Sequence, residues 1–131
     1  MKRVGALLLA AALTGTAASV PAPAPDPAVG RALAYRNGDG VARDALRAVV
    51  LLRGAAERGV PEAMFLLSQM LAEGEGTARD PDGARRWLER AAQAEYPEAL
   101  QQMAMEERDP ARAAELMRET AHALQHRVRS R

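Results

Sequence analysis

The apolar positions of this chain fall into helical stripes separated by glycine-rich breaks. From Pro61 onward, Ala63, Leu67, Ser68 and Leu71 recur at i, i+4, i+5 and i+8, which is one face of a helix. After a break, Ala84, Trp87, Leu88, Ala91 and Ala92 recur at i, i+3, i+4, i+7 and i+8, a second amphipathic stripe. The boundary residues agree. Pro61 and Pro81 stand in first-turn positions, where the missing N–H has no helical partner to lose. Glu62 suits the positive end of a helix dipole, and Asp80 is a strong N-cap. Gly74 and Gly76 take the left-handed conformation that stops a helix. The spacing therefore predicts a helix, a glycine loop and a second helix over residues 61–96.

This unit recurs. Gly38-Asp39-Gly40-Val41-Ala42-Arg43-Asp44 returns 36 residues on as Gly74-Glu75-Gly76-Thr77-Ala78-Arg79-Asp80. Ala55-Ala56 returns as Ala91-Ala92, and Pro61-Glu62-Ala63 as Pro97-Glu98-Ala99, with a weaker copy at Pro25-Asp26-Pro27. A fixed period of this size marks a solenoid, in which each unit buries its apolar face against its neighbours. The units run 25–60, 61–96 and 97–124. The positions that fix the repeat are Gly38, Gly40, Asp44, Ala55 and Ala56, then Gly74, Gly76, Asp80, Trp87, Ala91 and Ala92, then Asp109.

The end units differ from the middle one. In the first, the stripe Ala48, Leu51, Leu52, Ala55, Ala56 is intact, and Gly59 closes the second helix. Its first helix contains Gly30, which costs about 1 kcal/mol relative to alanine, and places Arg31 where the second unit has Leu67; fraying is expected there. In the third, Asp109-Pro110 follows Asp80-Pro81 by 29 residues, so seven residues including the glycine pair are missing. A stripe continues as Ala113, Leu116, Met117, Thr120, Ala121 and Leu124. Residues 125–131 hold three arginines and read as a solvated basic tail.

The pattern Tyr35, Gly38, Gly40, Val41, Asp44, Ala48, Ala55, Ala56, Gly59, repeated as Leu67, Gly74, Gly76, Asp80, Ala84, Trp87, Ala91, Ala92, resembles the Sel-one-like repeats, relatives of the tetratricopeptide repeats. Arg47 and Arg90 stand where that family has lysine. Ser68 and Ala32 replace its first glycine, Leu71 its tyrosine, and Leu51 its tryptophan in the first unit. The resemblance covers about residues 25–124. It implies an all-α fold: a short right-handed α-solenoid of three antiparallel helix pairs, the last abbreviated. It also implies a non-catalytic protein–protein interaction module, with exported bacterial members acting as adaptors or regulators at the cell envelope. Some cysteine-rich relatives are linked to β-lactam binding. An enzyme-like small-molecule or β-lactam binder is therefore one alternative, disfavoured by the absence of cysteine. A self-associating structural protein is another.

Composition narrows the setting. Lys2 and Arg3, the apolar run Val4–Leu13 and the small residues Thr14–Ala18 form the three-part pattern of a secretory signal peptide. The run is well short of the roughly 20 residues a spanning helix needs. The reading is a leader over 1–18, a stiff Pro/Ala linker over 19–25, a periplasmic or secreted protein, and no membrane attachment after cleavage. Losing residues 1–18 removes two of the 18 basic side chains and none of the 17 acidic ones, so no basic surface for nucleic acid remains. With no cysteine, stability must come from helix packing.

No catalytic, cofactor-binding or metal-ligating residue is assigned. The glycine pairs lack the lysine and Ser/Thr of a phosphate loop. Asp80-Pro81-Asp82-Gly83 has Arg85 and Ala91 where a calcium loop needs glycine and glutamate. His122 and His126, at i and i+4, have the spacing for a metal on one helix face, but no carboxylate pattern beside them, and read as solvated surface. Ser68 sits at a packing position with no histidine near it. The partner expected is a protein or peptide segment. Its face is Val29 and Leu33, Phe65, Gln69 and Met70, and Gln101, Gln102 and Met105, off the packing stripes of the three first helices, where methionine, phenylalanine and glutamine make an adaptable groove.

Overall fold

Among the described residues, five of the six helices begin at a proline. In the computed structural model, which describes residues 24–131, these are α1 (Pro27–Asn37), α2 (Ala45–Glu57), α3 (Pro61–Glu73), α4 (Pro81–Gln93), α5 (Pro97–Glu106) and α6 (Pro110–Arg129). The leader and most of the linker lie outside the described residues. Four helices are capped by an aspartate carboxylate that accepts a backbone N–H of the first turn: Asp26 from Ala28, Asp44 from Arg47, Asp80 from Gly83 and Asp109 from Ala111. Each cap satisfies a donor that the helix itself leaves unpaired.

The period seen in the residues is reproduced bond by bond. Asp44 N donates to Tyr35 O, and 36 residues on Asp80 N donates to Leu71 O. Asp39 N reaches Ala34 O as Glu75 N reaches Met70 O, and Val60 N reaches Ala55 O as Tyr96 N reaches Ala91 O. Even a side chain follows: Arg43 Nε donates to Arg36 O at 3.0 Å, and Arg79 Nε to Ala72 O at 3.1 Å. Consecutive helices pack on one another, α1 on α2, α2 on α3, and so on to α6. The result is a short α-solenoid of three helix pairs.

One continuous core joins the pairs. Ala48, Ala55, Ala56, Ala63, Ala91 and Ala99 are fully buried, which lets helix backbones approach closely, while Leu52, Leu67 and Met70 fill the remaining volume. Ser68, in the family's glycine position, is buried with its hydroxyl donating to Phe65 O at 2.6 Å. Among the described residues no buried side-chain polar atom lacks a partner.

Trp87 departs from expectation. Leu88 takes the core position beside it, and the indole is half-buried under the Arg90 guanidinium, 4.5 Å from the ring centroid. Leu51, its counterpart in the first unit, is also half-buried. A full core truncation of this size costs about 3–5 kcal/mol. Trp87→Ala is expected to cost about 1.5–3 kcal/mol in urea denaturation, the sum of a partial burial term and one cation–π contact.

The third unit departs further. Three residues, Glu107 to Asp109, replace the glycine loop, with Glu107 Oε1 accepting from both Arg108 N and Asp109 N. α6 is 20 residues long against 13 in α2 and α4. It packs chiefly on α5, so its buried arc is narrow: Leu116, Thr120 and Ala123, flanked by half-buried Ala113 and Arg127. Met117 and Leu124 are 46% and 44% exposed and Ala121 is exposed, so the expected stripe is corrected by a rotation of roughly 50° about the helix axis.

The expected solvated tail is helical as far as Arg129. Arg127 makes a bidentate bridge to Glu98, 2.8 Å at each oxygen, and its guanidinium lies 5.3 Å from the Tyr96 ring centroid. A similar clamp holds the other end, where Arg58 Nη2 bridges both oxygens of Asp26 at 3.1 and 2.9 Å. That clamp opposes the fraying expected of α1, which runs unbroken past Gly30 and Arg31.

Candidate protein-binding face

The face expected on the first helices forms two columns, one residue per unit. The first column is Val29, Phe65 and Gln101; the second is Leu33, Gln69 and Met105. Exposure is greatest at the third unit in each. Val29 is 3% exposed and belongs to the core, Phe65 is half-buried, and Gln101 is exposed. Leu33 and Gln69 are half-buried, and Met105 is 74% exposed. The cause is the stacking itself. Tyr96, at the entry to α5, covers Phe65, with ring centroids 5.5 Å apart. Val60 stands at the matching position one unit earlier, partly buried against the core.

Two of the expected face residues are corrected. Val29 and Met70 are core side chains, Met70 at 0% exposure. α3 is held between α2 and α4, so its buried arc is wider than one stripe: Met64 and Met70 join Ala63, Leu67, Ser68 and Leu71. The face that remains is Leu33, Phe65, Gln69, Gln101, Gln102 and Met105. It is apolar and carboxamide-bearing, without a charged group of its own.

Gln69 and Gln102 are brought together in a cleft of ≈ 180 Å³ between α3, α4 and α5. Arg79, Arg85 and Glu106 form its rim and Leu88 its floor. Arg85 pairs with Glu89 at 2.8 Å and with Glu106 at 3.5 Å, and Gln102 Nε2 donates to Glu106 at 2.9 Å. This cleft was not foreseen from the residues. The shortened third unit was the available signal.

Ionisable groups near the face serve structure. The Arg127 guanidinium holds the Glu98 carboxyl below its ordinary range, as Arg36 does for Glu75 and Arg58 for Asp26. These ion pairs stabilise the fold above the carboxylates' ordinary range and are lost as pH falls through their lowered values. Tyr96 behaves oppositely. Burial first, then the nearby charges of Glu98 and Glu62, push its hydroxyl from 10.0 up to about 12. The unfolded chain loses this proton near pH 10 and the folded chain keeps it to about 12, so the stability it confers is whole below pH 10 and drains between the two. The thermal midpoint is expected to fall across that interval, with part of the fall removed in Tyr96→Phe.

His122 and His126 are exposed on α6 with ring Nε2 atoms 3.2 Å apart. Among the described residues no group of three or more His, Cys, Asp or Glu side chains is placed to hold a metal. Ser68 is sealed in the core. No helix of the described residues is long and apolar enough to cross a membrane.

The fold defines a short helical-repeat protein. The Sel1 repeat model matches residues 28–60, 61–96 and 102–123, and the chain belongs to the Sel1 repeat family. Proteins of this family generally mediate protein–protein interaction. A Sel1 repeat protein from Oxalobacter formigenes superimposes with a TM-score of 0.69 at 24% identity, covering 73% of this chain and 42% of that one. A protective antigen of uropathogenic Escherichia coli with the same repeat fold gives 0.65 at 29% identity, covering 72% and 22%. The chain is also 44% identical over 46 residues to an exopolysaccharide production negative regulator of Rhizobium leguminosarum bv. viciae, 35% of this chain and 17% of that protein. It thus spans less than half the length of each of these relatives.

Proposed function

We propose that the protein is a non-catalytic adaptor or regulator of the bacterial cell envelope that binds a segment of another protein through the first-helix face. The observation that carries this reading is the graded exposure of that face, with Met105 and Gln101 standing free on α5 beside half-buried Gln69 and Gln102. Methionine and glutamine on a rigid helix can adapt to a peptide surface at little ordering cost. The leader-like pattern over residues 1–18 supports the envelope setting, and the regulator from Rhizobium supports the regulatory role.

The test uses residues that do not hold the fold. Gln101→Ala combined with Met105→Asp changes two exposed side chains, so helical circular dichroism and thermal midpoint stay near wild type. Capture of the partner from the envelope fraction of the host is expected to fall at least tenfold. Undiminished capture would remove the first-helix face from the interaction.

A further inference from the structure

At the junction of the first two units, the second unit's loop seals the edge of the stack. A Cβ on Gly76 would overlap the Ala45 carbonyl and come within 2.8 Å of Leu46 N, so the loop backbone lies directly on the first turn of α2. Beside it the Glu75 carboxylate is seated between Arg36, at 2.9 Å, and Arg43, at 3.5 Å. One repeat later the same place lies against the first turn of α4. It would be filled by a glycine loop between α5 and α6, but the third unit is seven residues shorter and joins those helices through Glu107 to Asp109 alone. The ≈ 180 Å³ cleft is what that shortening leaves.

Arg79 is already posed for an occupant. Its Nε bond to Ala72 O matches that of Arg43 to Arg36 O, so the two guanidinium groups are anchored alike. Arg43 directs its outer nitrogen to Glu75 at 3.5 Å, beside the shorter Arg36 contact; Ala72 stands where Arg36 would recur, so at the cleft Arg79 alone would meet the acid. Among the described residues Arg79 has no acidic partner, whereas Arg85 on the same rim is neutralised by Glu89 and Glu106. Gln69 adds a carboxamide with no side-chain hydrogen bond among the described residues, suited to a peptide backbone.

We propose that this cleft binds a short acidic, glycine-flanked segment of a partner protein, seated as the chain's own Gly74-Glu75-Gly76 loop is seated one repeat earlier. The carboxylate meets Arg79, the backbone meets Gln69, and the glycine after the acid lies on the first turn of α4, where a side chain has no room. This site rests on the reading of the chain as a protein-binding module and names the chemistry of one of its ligands.

The probe is the capped peptide Glu-Gly-Glu-Gly-Thr-Ala, titrated into the full chain and followed by backbone amide NMR. Saturable shifts are expected at Arg79, Leu88 and Gln102. Replacing the peptide's second glutamate by glutamine should weaken binding at least tenfold, and that arm leaves the protein untouched. Arg79→Ala should weaken the original peptide by a similar factor. Inserting Glu-Gly-Glu-Gly-Thr-Ala-Arg before Asp109 restores the missing loop and should abolish the shifts. Absence of saturable shifts at millimolar peptide, equal binding of the glutamine peptide, or shifts elsewhere would overturn the proposal. Failure of the peptide with partner capture through Met105 intact overturns the cleft alone; loss of both overturns the protein-binding reading.

Discussion

Gly76→Ala lowers the free energy of unfolding by about 3–5 kcal/mol, whereas Gly40→Ala, the same change one repeat earlier, lowers it by about 1–2 kcal/mol. Both glycines have positive φ, +69° and +72°. A left-handed backbone costs an L-residue about 1–2 kcal/mol, and this part is common to both. The surroundings differ. A Cβ on Gly40 meets nothing within 4 Å, but on Gly76 it strikes the backbone of Ala45 and Leu46. Those atoms belong to the first turn of α2 and cannot move as a side-chain tip would. The loop must lift, which adds an overpacking cost of about 1–3 kcal/mol and takes Glu75 away from Arg36. Urea denaturation of the two variants beside wild type reads the difference directly.

Met70→Ala is expected to cost about 2–5 kcal/mol, and Met105→Ala less than about 0.5 kcal/mol. Both methionines lie on first helices outside the apparent apolar stripes. Met70 has 0% exposure and is among the largest fully buried side chains, so its truncation leaves a cavity in the shared core. Met105 is 74% exposed. In denaturation the first variant shifts strongly and the second does not. In partner capture the order reverses once the proteins are compared at equal folded concentration.

The architecture was legible because the repeat is written in boundary residues as well as in apolar ones. Pro61, Pro81, Pro97 and Pro110 open helices where expected, and Asp44, Asp80 and Asp109 cap α2, α4 and α6. Side-chain placement was harder to read, for one physical reason. A stripe tells how a helix meets one neighbour, but helices in a solenoid meet different numbers of them. α3 has neighbours on both sides, so Met70 is buried beyond the stripe; α6 leans on α5, so Met117 and Leu124 fall outside it. Arg127 escaped notice because its partner Glu98 lies on another helix and no local pattern links them. The cleft beside Arg79 was half-visible. The missing seven residues are plain in the chain, but what they would have covered emerges only from the contact of Gly76 with α2.

On the proposed function, the first-helix side of the stack carries the interaction and the second-helix side does not. Site-specific photocrosslinking tests it most directly, with a photoreactive residue placed in turn at 69, 105 and 86 of the full chain. Gln69 and Met105 lie on first helices, and Arg86 is exposed on α4. One common crosslinked partner is expected from positions 69 and 105 and none from 86. A partner crosslinked from 86 and not from 69 or 105 would contradict this.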